Sequence, residues 1–153
     1  LTRKPNSHLD FDLDLAKEQS DENTVMKVKY AHARICSLLG KAEESGIVVG
    51  DPTAASLAKL EDEAEWNLVR ELVRLPQVIV SAAEAREPHR LTGYVDDIAG
   101  LYNQFWNQCK RILEQEEGRR LAQLHLSVVT RRVIRHVLDM LGVEAPEQME
   151  RRD

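Results

Sequence analysis

Apolar residues recur every three or four positions along most of the chain, and strand-like alternation is almost absent. Val25, Val28, Ala31, Ile35, Leu38 and Leu39 step this way and predict a first helix. Asp21 or Asn23 suits its N-cap, and Gly40 then Gly46 loosen and stop it. Gly, Val and Asp-Pro make a loop across 46–52. Leu60, Ala64, Leu68, Val69, Leu72 and Leu75 predict a second helix over about 57–75. Pro76 suits the first turn of a third, which carries Val78, Ile79, Ala82, Ala83 and Ala85 as far as Pro88. From there Leu91, Tyr94, Val95, Ile98, Leu101, Tyr102, Phe105, Cys109, Ile112 and Leu113 fit one helical period, predicting a fourth. Gly118 separates it from a fifth over 119–141, which Gly142 ends.

Short links between five such helices predict an all-α helical bundle. Residues 1–22 stand apart. There His8-Leu9-Asp10-Phe11-Asp12-Leu13-Asp14-Leu15 alternates apolar and acidic side chains, as an edge strand or an extended piece of another domain does. With Leu rather than Met at position 1, the expectation is an irregular N-terminal stub, then a helical domain over 23–153. The last eleven residues have no period and contain Pro146, so an irregular tail is expected.

Composition narrows the class. The 153 residues are 42% apolar and 31% charged, which fits one domain with a real core and excludes a disordered tail or a disulfide scaffold. No apolar run is long enough to span a membrane, and no secretory signal opens the chain. Cys36 and Cys109 lie far apart and without metal-ligand spacing, as two thiols in a reducing, cytoplasmic compartment would.

The net charge of −5 argues against a nucleic-acid partner until the charges are located. Residues 43–65 carry Glu43, Glu44, Asp51, Glu61, Asp62, Glu63 and Glu65 against Lys59 alone, a net of −6. Residues 118–142 carry Arg119, Arg120, Arg131, Arg132 and Arg135 against Asp139, a net of +4. On a helical wheel Arg131, Arg132, Arg135, His136 and Asp139 share one arc, with Val129, Val133, Val137 and Met140 opposite as the expected buried side. A basic helix face is often just solvated surface, but arginine forks also suit phosphate oxygens.

Four of the seven aromatics, Tyr94, Tyr102, Phe105 and Trp106, lie on the predicted fourth helix. Tyr102 and Trp106 are neighbours four residues apart. Phe105 falls inside the apolar stripe and Trp106 at its margin, where a flat ring either packs or stacks on an unstacked base. Tyr102, near the centre of the stripe, is either a buried tyrosine or a second platform. Asn103, Asn107 and Gln108 add amides of the kind that read base edges. No catalytic constellation is present in the sequence: HExxH, GxSxG, a phosphate loop and Glu-x-x-His are all missing. His32 and His125 fall on apolar-rich helices and read as structural histidines.

Four segments, in order and spanning the chain, resemble bacterial arginyl-tRNA synthetases: Ser7-His8-Leu9-Asp10-Phe11-Asp12-Leu13-Asp14-Leu15-Ala16, Tyr30-Ala31-His32-Ala33-Arg34-Ile35, Tyr102-Asn103-Gln104-Phe105-Trp106 and Leu141-Gly142-Val143-Glu144-Ala145-Pro146-Glu147-Gln148-Met149. The resemblance implies the C-terminal, DALR-type anticodon-binding domain of an arginine–tRNA ligase, with a stub of the catalytic domain before it. It implies that the arginine tRNA is held by its anticodon arm while ATP, with Mg, serves the catalytic domain upstream. The HIGH-type and KMSKS-type signatures are absent, so neither catalytic residue, cofactor nor metal is expected in this segment.

By the same resemblance Tyr102, Trp106 and Met149 contact anticodon-loop bases. Arg131 and Arg135, from the basic arc, complete the expected RNA-binding set. The chain departs from the family's pattern at Glu150-Arg151-Arg152-Asp153, which follow the usual terminal methionine, and at Lys27 and Lys29. Expected partners are thus arginine tRNA and the protein's own catalytic domain, with no DNA and no membrane. The competing class is a helical interaction bundle that docks protein through its acidic and basic faces.

Overall fold

In a computed structural model the described residues are 24–53, 57–109 and 111–149. The expected cap at Asp21 or Asn23 and the alternating segment 8–15 lie outside them. The elements are α1 (Thr24–Glu44), α2 (Glu63–Leu72), α3 (Leu75–Ala85), α4 (His89–Gln108), a 3-10 turn (Ile112–Glu114) and α5 (Glu117–Met140). Among the described residues there is no strand, as the all-α expectation requires.

Helices α1, α4 and α5 pack on one another pairwise, and α2 closes the core against α4 and α5. Ile35, Leu68, Ile98, Phe105, Leu124 and Ile134 are fully buried at this junction. Each contributes about 1.5–3 kcal/mol through the apolar surface it removes from water. Helix α3 lies on α4 and buries Ala82 alone completely, leaving Val80 largely exposed. None of the described helices is long and apolar enough to cross a membrane.

Boundaries differ from the periodicity wherever a cap outweighs it. Helix α1 runs through Gly40 to Glu44, and Gly46 at φ +74° turns the chain back. There Gly46 N–H donates to Glu43 and Ile47 N–H to Ala42, satisfying the last carbonyls of the helix. Helix α2 starts later than expected, because Leu57–Leu60 closes a separate turn and Glu65 reaches back to the N–H groups of Glu61 and Asp62 at 2.7 and 2.8 Å. Helix α4 stops at Gln108: the backbone leaves helical geometry at Cys109, φ −90° and ψ 53°, and Arg111 then takes a left-handed conformation, φ 65°. Ile112 still reaches the core, but through the 3-10 turn. Helix α5 begins two residues early: the Glu116 carboxylate accepts from Gly118 and Arg119 N–H at 3.0 and 3.3 Å, so Gly118 sits inside the first turn.

The buried surface of α5 is broader than the expected one, which it includes in part: Val137 is buried, and Val129 and Val133 pack on the core. That surface follows Ser127, Thr130, Ile134, Val137 and Leu138, while Met140 is 40% exposed. Ser127 and Thr130 donate their hydroxyls to the carbonyls of Gln123 and Leu126, and so enter the core with their polar groups satisfied.

The acidic stretch and the basic helix face each other. Arg119 bridges Glu61, Asp62 and Glu65 at 2.9, 2.6 and 3.5 Å, and Arg132 meets Asp51 at 2.7 Å. Two of the arginines of α5 are therefore held inside the protein's own charge network. Glu65, at 0% exposure, also accepts from the Gln123 amide at 2.7 Å, and this tie joins α2 to α5.

Candidate nucleic-acid interface

The C-terminal half of α1 presents Arg34, Ser37 and Lys41 three and four residues apart, on one face. Trp106 of α4 stands beside them. The Arg34 guanidinium lies 5.6 Å from the centre of the Trp106 ring, and its Nη1 donates to Asn103 Oδ1 at 2.6 Å. Asn103 therefore orients Arg34, and Arg34 covers part of the indole. Two clefts open along this face. One, of about 610 Å³, runs between Tyr30, Arg34, Ser37 and Lys41 and the tail residues Glu147 and Met149. The other, of about 410 Å³, lies between the same Arg34, Ser37 and Lys41 and Trp106, Arg111 and Ile112. Both sides of this α1 face are thus concave, and cations line them.

Tyr102 is not offered to solvent. Its exposure is 0%, its ring lies 5.5 Å from Phe105 and 6.5 Å from Trp106, and its hydroxyl is 3.3 Å from Ser127 Oγ. Ser127 spends its own proton on the Gln123 carbonyl, so the Tyr102 hydroxyl donates to it. Burial holds this phenol well above its ordinary pKa. The expectation of a stacking platform at Tyr102 is corrected to a buried support behind Trp106. Trp106 itself is half-buried, at the margin of the core.

The tail over 143–149 is irregular, as expected, yet it folds back onto the bundle. Val143 and Ala145 pack on the core, and the Pro146 carbonyl meets His32 Nδ1 at 2.9 Å. Met149 thereby lines the first cleft, against α1. Arg131 lies on the other flank of α1, beside the Cys36 thiol, in a third cleft of about 580 Å³ with Glu43, Val48 and Glu147. Arg135 is exposed, and among the described residues no carboxylate pairs with it. The structure thus gathers Trp106 and Met149 around α1, while Arg131 and Arg135 sit on a neighbouring surface.

Arg34, Lys41 and Arg111 were not singled out by their spacing. Lys41 follows Gly40, where the helix was expected to weaken, and Arg111 lies beyond the true end of α4. The signal that could have found the first two is the seven-residue spacing of Lys27, Arg34 and Lys41, which sets them two turns apart along one side of α1; nothing in the spacing points to Arg111.

Two further clusters are structural. Cys109, Asp62 and Glu65 bring three potential ligand atoms together, but the Arg119 guanidinium already supplies the positive charge there. Burial, then the Glu65 and Asp62 carboxylates, push the Cys109 thiol up to about 12. Both cysteines are free, Cys36 half-buried and Cys109 buried. His125 is buried, and desolvation lowers its pKa, against the opposing pull of Asp51 and a hydrogen bond with the Gly50 backbone.

Residues 28–149 match the family model described as the DALR anticodon binding domain. The chain is 45% identical over 146 residues to the arginine–tRNA ligase of Moorella thermoacetica, covering 95% of this chain and 26% of that protein. It is 47% identical over 149 residues to the arginine–tRNA ligase of Carboxydothermus hydrogenoformans, covering 97% and 27%. Among solved structures, a Campylobacter jejuni protein assigned as an arginyl-tRNA synthetase superposes with a TM-score of 0.82 at 28% identity, over 97% of this chain and 31% of that one. Thermus thermophilus arginyl-tRNA synthetase gives 0.71 at 33% identity, over 85% and 22%. The chain spans about a quarter of the length of the curated relatives it matches.

Proposed function

Because this chain belongs to the DALR anticodon-binding domain family, we propose that it grips the anticodon arm of an arginine-accepting tRNA as part of a cytoplasmic arginine–tRNA ligase. In this reading it positions the tRNA for ATP-dependent arginylation in a catalytic domain of the same protein. ATP and Mg serve that domain, and this segment supplies binding alone.

The observation that carries the reading is the pair of clefts sharing Arg34, Ser37 and Lys41, one bordered by Trp106 and the other by Met149. An unstacked loop base needs a flat apolar face, and Trp106 offers one, with Tyr102 fixing its place from behind. The phosphates on either side need cations that no carboxylate has claimed. Lys41 and Arg34 stand in the clefts, and Arg131 and Arg135 extend the positive surface toward the stem. Met149 adds a soft, adaptable contact at the opposite wall.

Binding of arginine tRNA titrated with salt tests this. With three to five cations on single-stranded phosphates, log affinity should fall against log salt with a slope of about −2 to −3.5. The affinity should also exceed that for a tRNA with an unrelated anticodon. An affinity indifferent to both salt and anticodon would end the RNA reading and favour a protein-docking bundle.

A further inference from the structure

Resting on this reading of the cleft, we infer that His32 is the positioning residue that latches the C-terminal tail across α1 and so sets the wall on which Met149 stands. His32 lies in the middle of α1, where every backbone N–H is already bonded one turn back. A strand of tail crossing such a helix finds no free main-chain donor, so a side chain must hold it. His32 does so: its Nδ1 is 2.9 Å from the Pro146 carbonyl oxygen. A carbonyl accepts and never donates, so Nδ1 carries the proton.

The ring is 1% exposed, and its other nitrogen, Nε2, has no partner among the described residues. An apolar side chain would fill this space without burying an unmet nitrogen. The polar ring is explained by the bond it makes to the tail. Cys36 Sγ lies 3.8 Å from the same Nδ1 and so faces the junction. On either side of Pro146 the tail is held differently. Val143 and Ala145 are pinned by apolar packing, while Glu147, Gln148 and Met149 border the cleft with Tyr30 and Arg34. The His32 bond therefore falls at the passage from the packed part of the tail to the part that faces ligand.

Amide hydrogen exchange over 143–149, together with arginine-tRNA affinity, tests the assignment in the whole chain. In His32→Leu, exchange there should rise by about 2- to 12-fold, the range for one lost buried hydrogen bond, and affinity should fall by a similar factor. His32→Asn, with an amide able to donate from near the Nδ1 position, should restore most of both. In a chain ended after Val143, His32→Leu should cost no further affinity. Unchanged tail exchange in a folded His32→Leu protein would overturn the latch. So would an affinity loss that persists in the shortened chain, since His32 would then act through α1 itself.

Nitrogen NMR of the wild-type imidazole needs no variant: it should report a proton on Nδ1, and a proton on Nε2 alone would also overturn the latch. Should the wild-type chain not bind arginine tRNA at all, the RNA reading fails, while exchange and tautomer still judge the latch.

Discussion

Replacing Glu65 should loosen the joint between α2 and α5. One oxygen of Glu65 accepts from the N–H groups of Glu61 and Asp62, and the other accepts from Gln123, with Arg119 3.5 Å away. Glu65→Ala strands all three of these donors and leaves Arg119 with its outer, exposed carboxylates. Orphaned buried donors cost about 1–3 kcal/mol each, and water reaches the two backbone groups in part, so the expected loss is about 3–6 kcal/mol. That is a large share of the roughly 5–15 kcal/mol available to a domain of this size. Glu65→Gln should be milder, at about 1–3 kcal/mol. Its amide oxygen can still serve the backbone pair, and Gln123 Oε1, which has no partner, can turn to accept from the new amide nitrogen.

Urea unfolding followed by circular dichroism measures both variants, with an unchanged denaturant slope as the sign that the denatured state is unaltered. Equal losses in the two variants would refute the rotation of Gln123. A loss below about 1 kcal/mol in Glu65→Ala would refute the role of the carboxylate as the joint itself.

Trp106→Ala should weaken arginine-tRNA binding about 5- to 150-fold, the worth of one base stack, with the helical circular dichroism intact. In a Trp66→Phe background, unchanged Trp106 fluorescence on adding tRNA would make it a packing residue instead. Arg135→Ala should flatten the salt slope by about 0.7–0.9, and a slope that stays put removes it from the phosphate contacts. The Tyr94 hydroxyl donates to the carbonyls of Glu71 and Leu72, and burial raises its pKa from 10.0 to about 12. Its neutral form is thus favoured in the folded state, and the stability this gives below pH 10 should be lost as pH rises from there toward about 12. Urea midpoints across this window should fall less steeply in Tyr94→Phe, and an identical fall would assign the alkaline loss to other groups.

Helix number and order were legible because apolar spacing reports which side of a segment is dry, and long-range packing agrees with it here. Helix ends were less so, since they turn on local competition. Cys109, Ile112 and Leu113 continue the period of α4, but the backbone leaves the helix at Cys109, and the left-handed Arg111 opens a 3-10 turn that delivers Ile112 to the core by another route. The dry side of α5 was read in part: Val137 is buried and Val129 and Val133 pack on the core, but Met140 is exposed, and Ser127 and Thr130 become core-compatible through hydrogen bonds that composition does not display. Trp106 was legible from its place at the stripe's margin. Arg34 and Lys41 were not: their importance comes from neighbours supplied by α4 and the tail, far away in sequence. Charge sums by segment located the acidic and basic regions, yet concealed that they meet and that Arg119 and Arg132 are already engaged.

Helix α1 is also a mechanical element. From Thr24 to Lys41 it is an unbroken rod of about 25 Å, stiffened by its own ladder of hydrogen bonds. Near its start the Lys27 ammonium lies 2.8 Å from the Asp96 carboxylate of α4 and passes Gly100 at ordinary contact distance. Val28, Ala31, Ile35, Leu38 and Ala42 are buried along the whole of this rod, so both clefts are built on one support seated in the core, and the spacing between their walls is set by the helix they share.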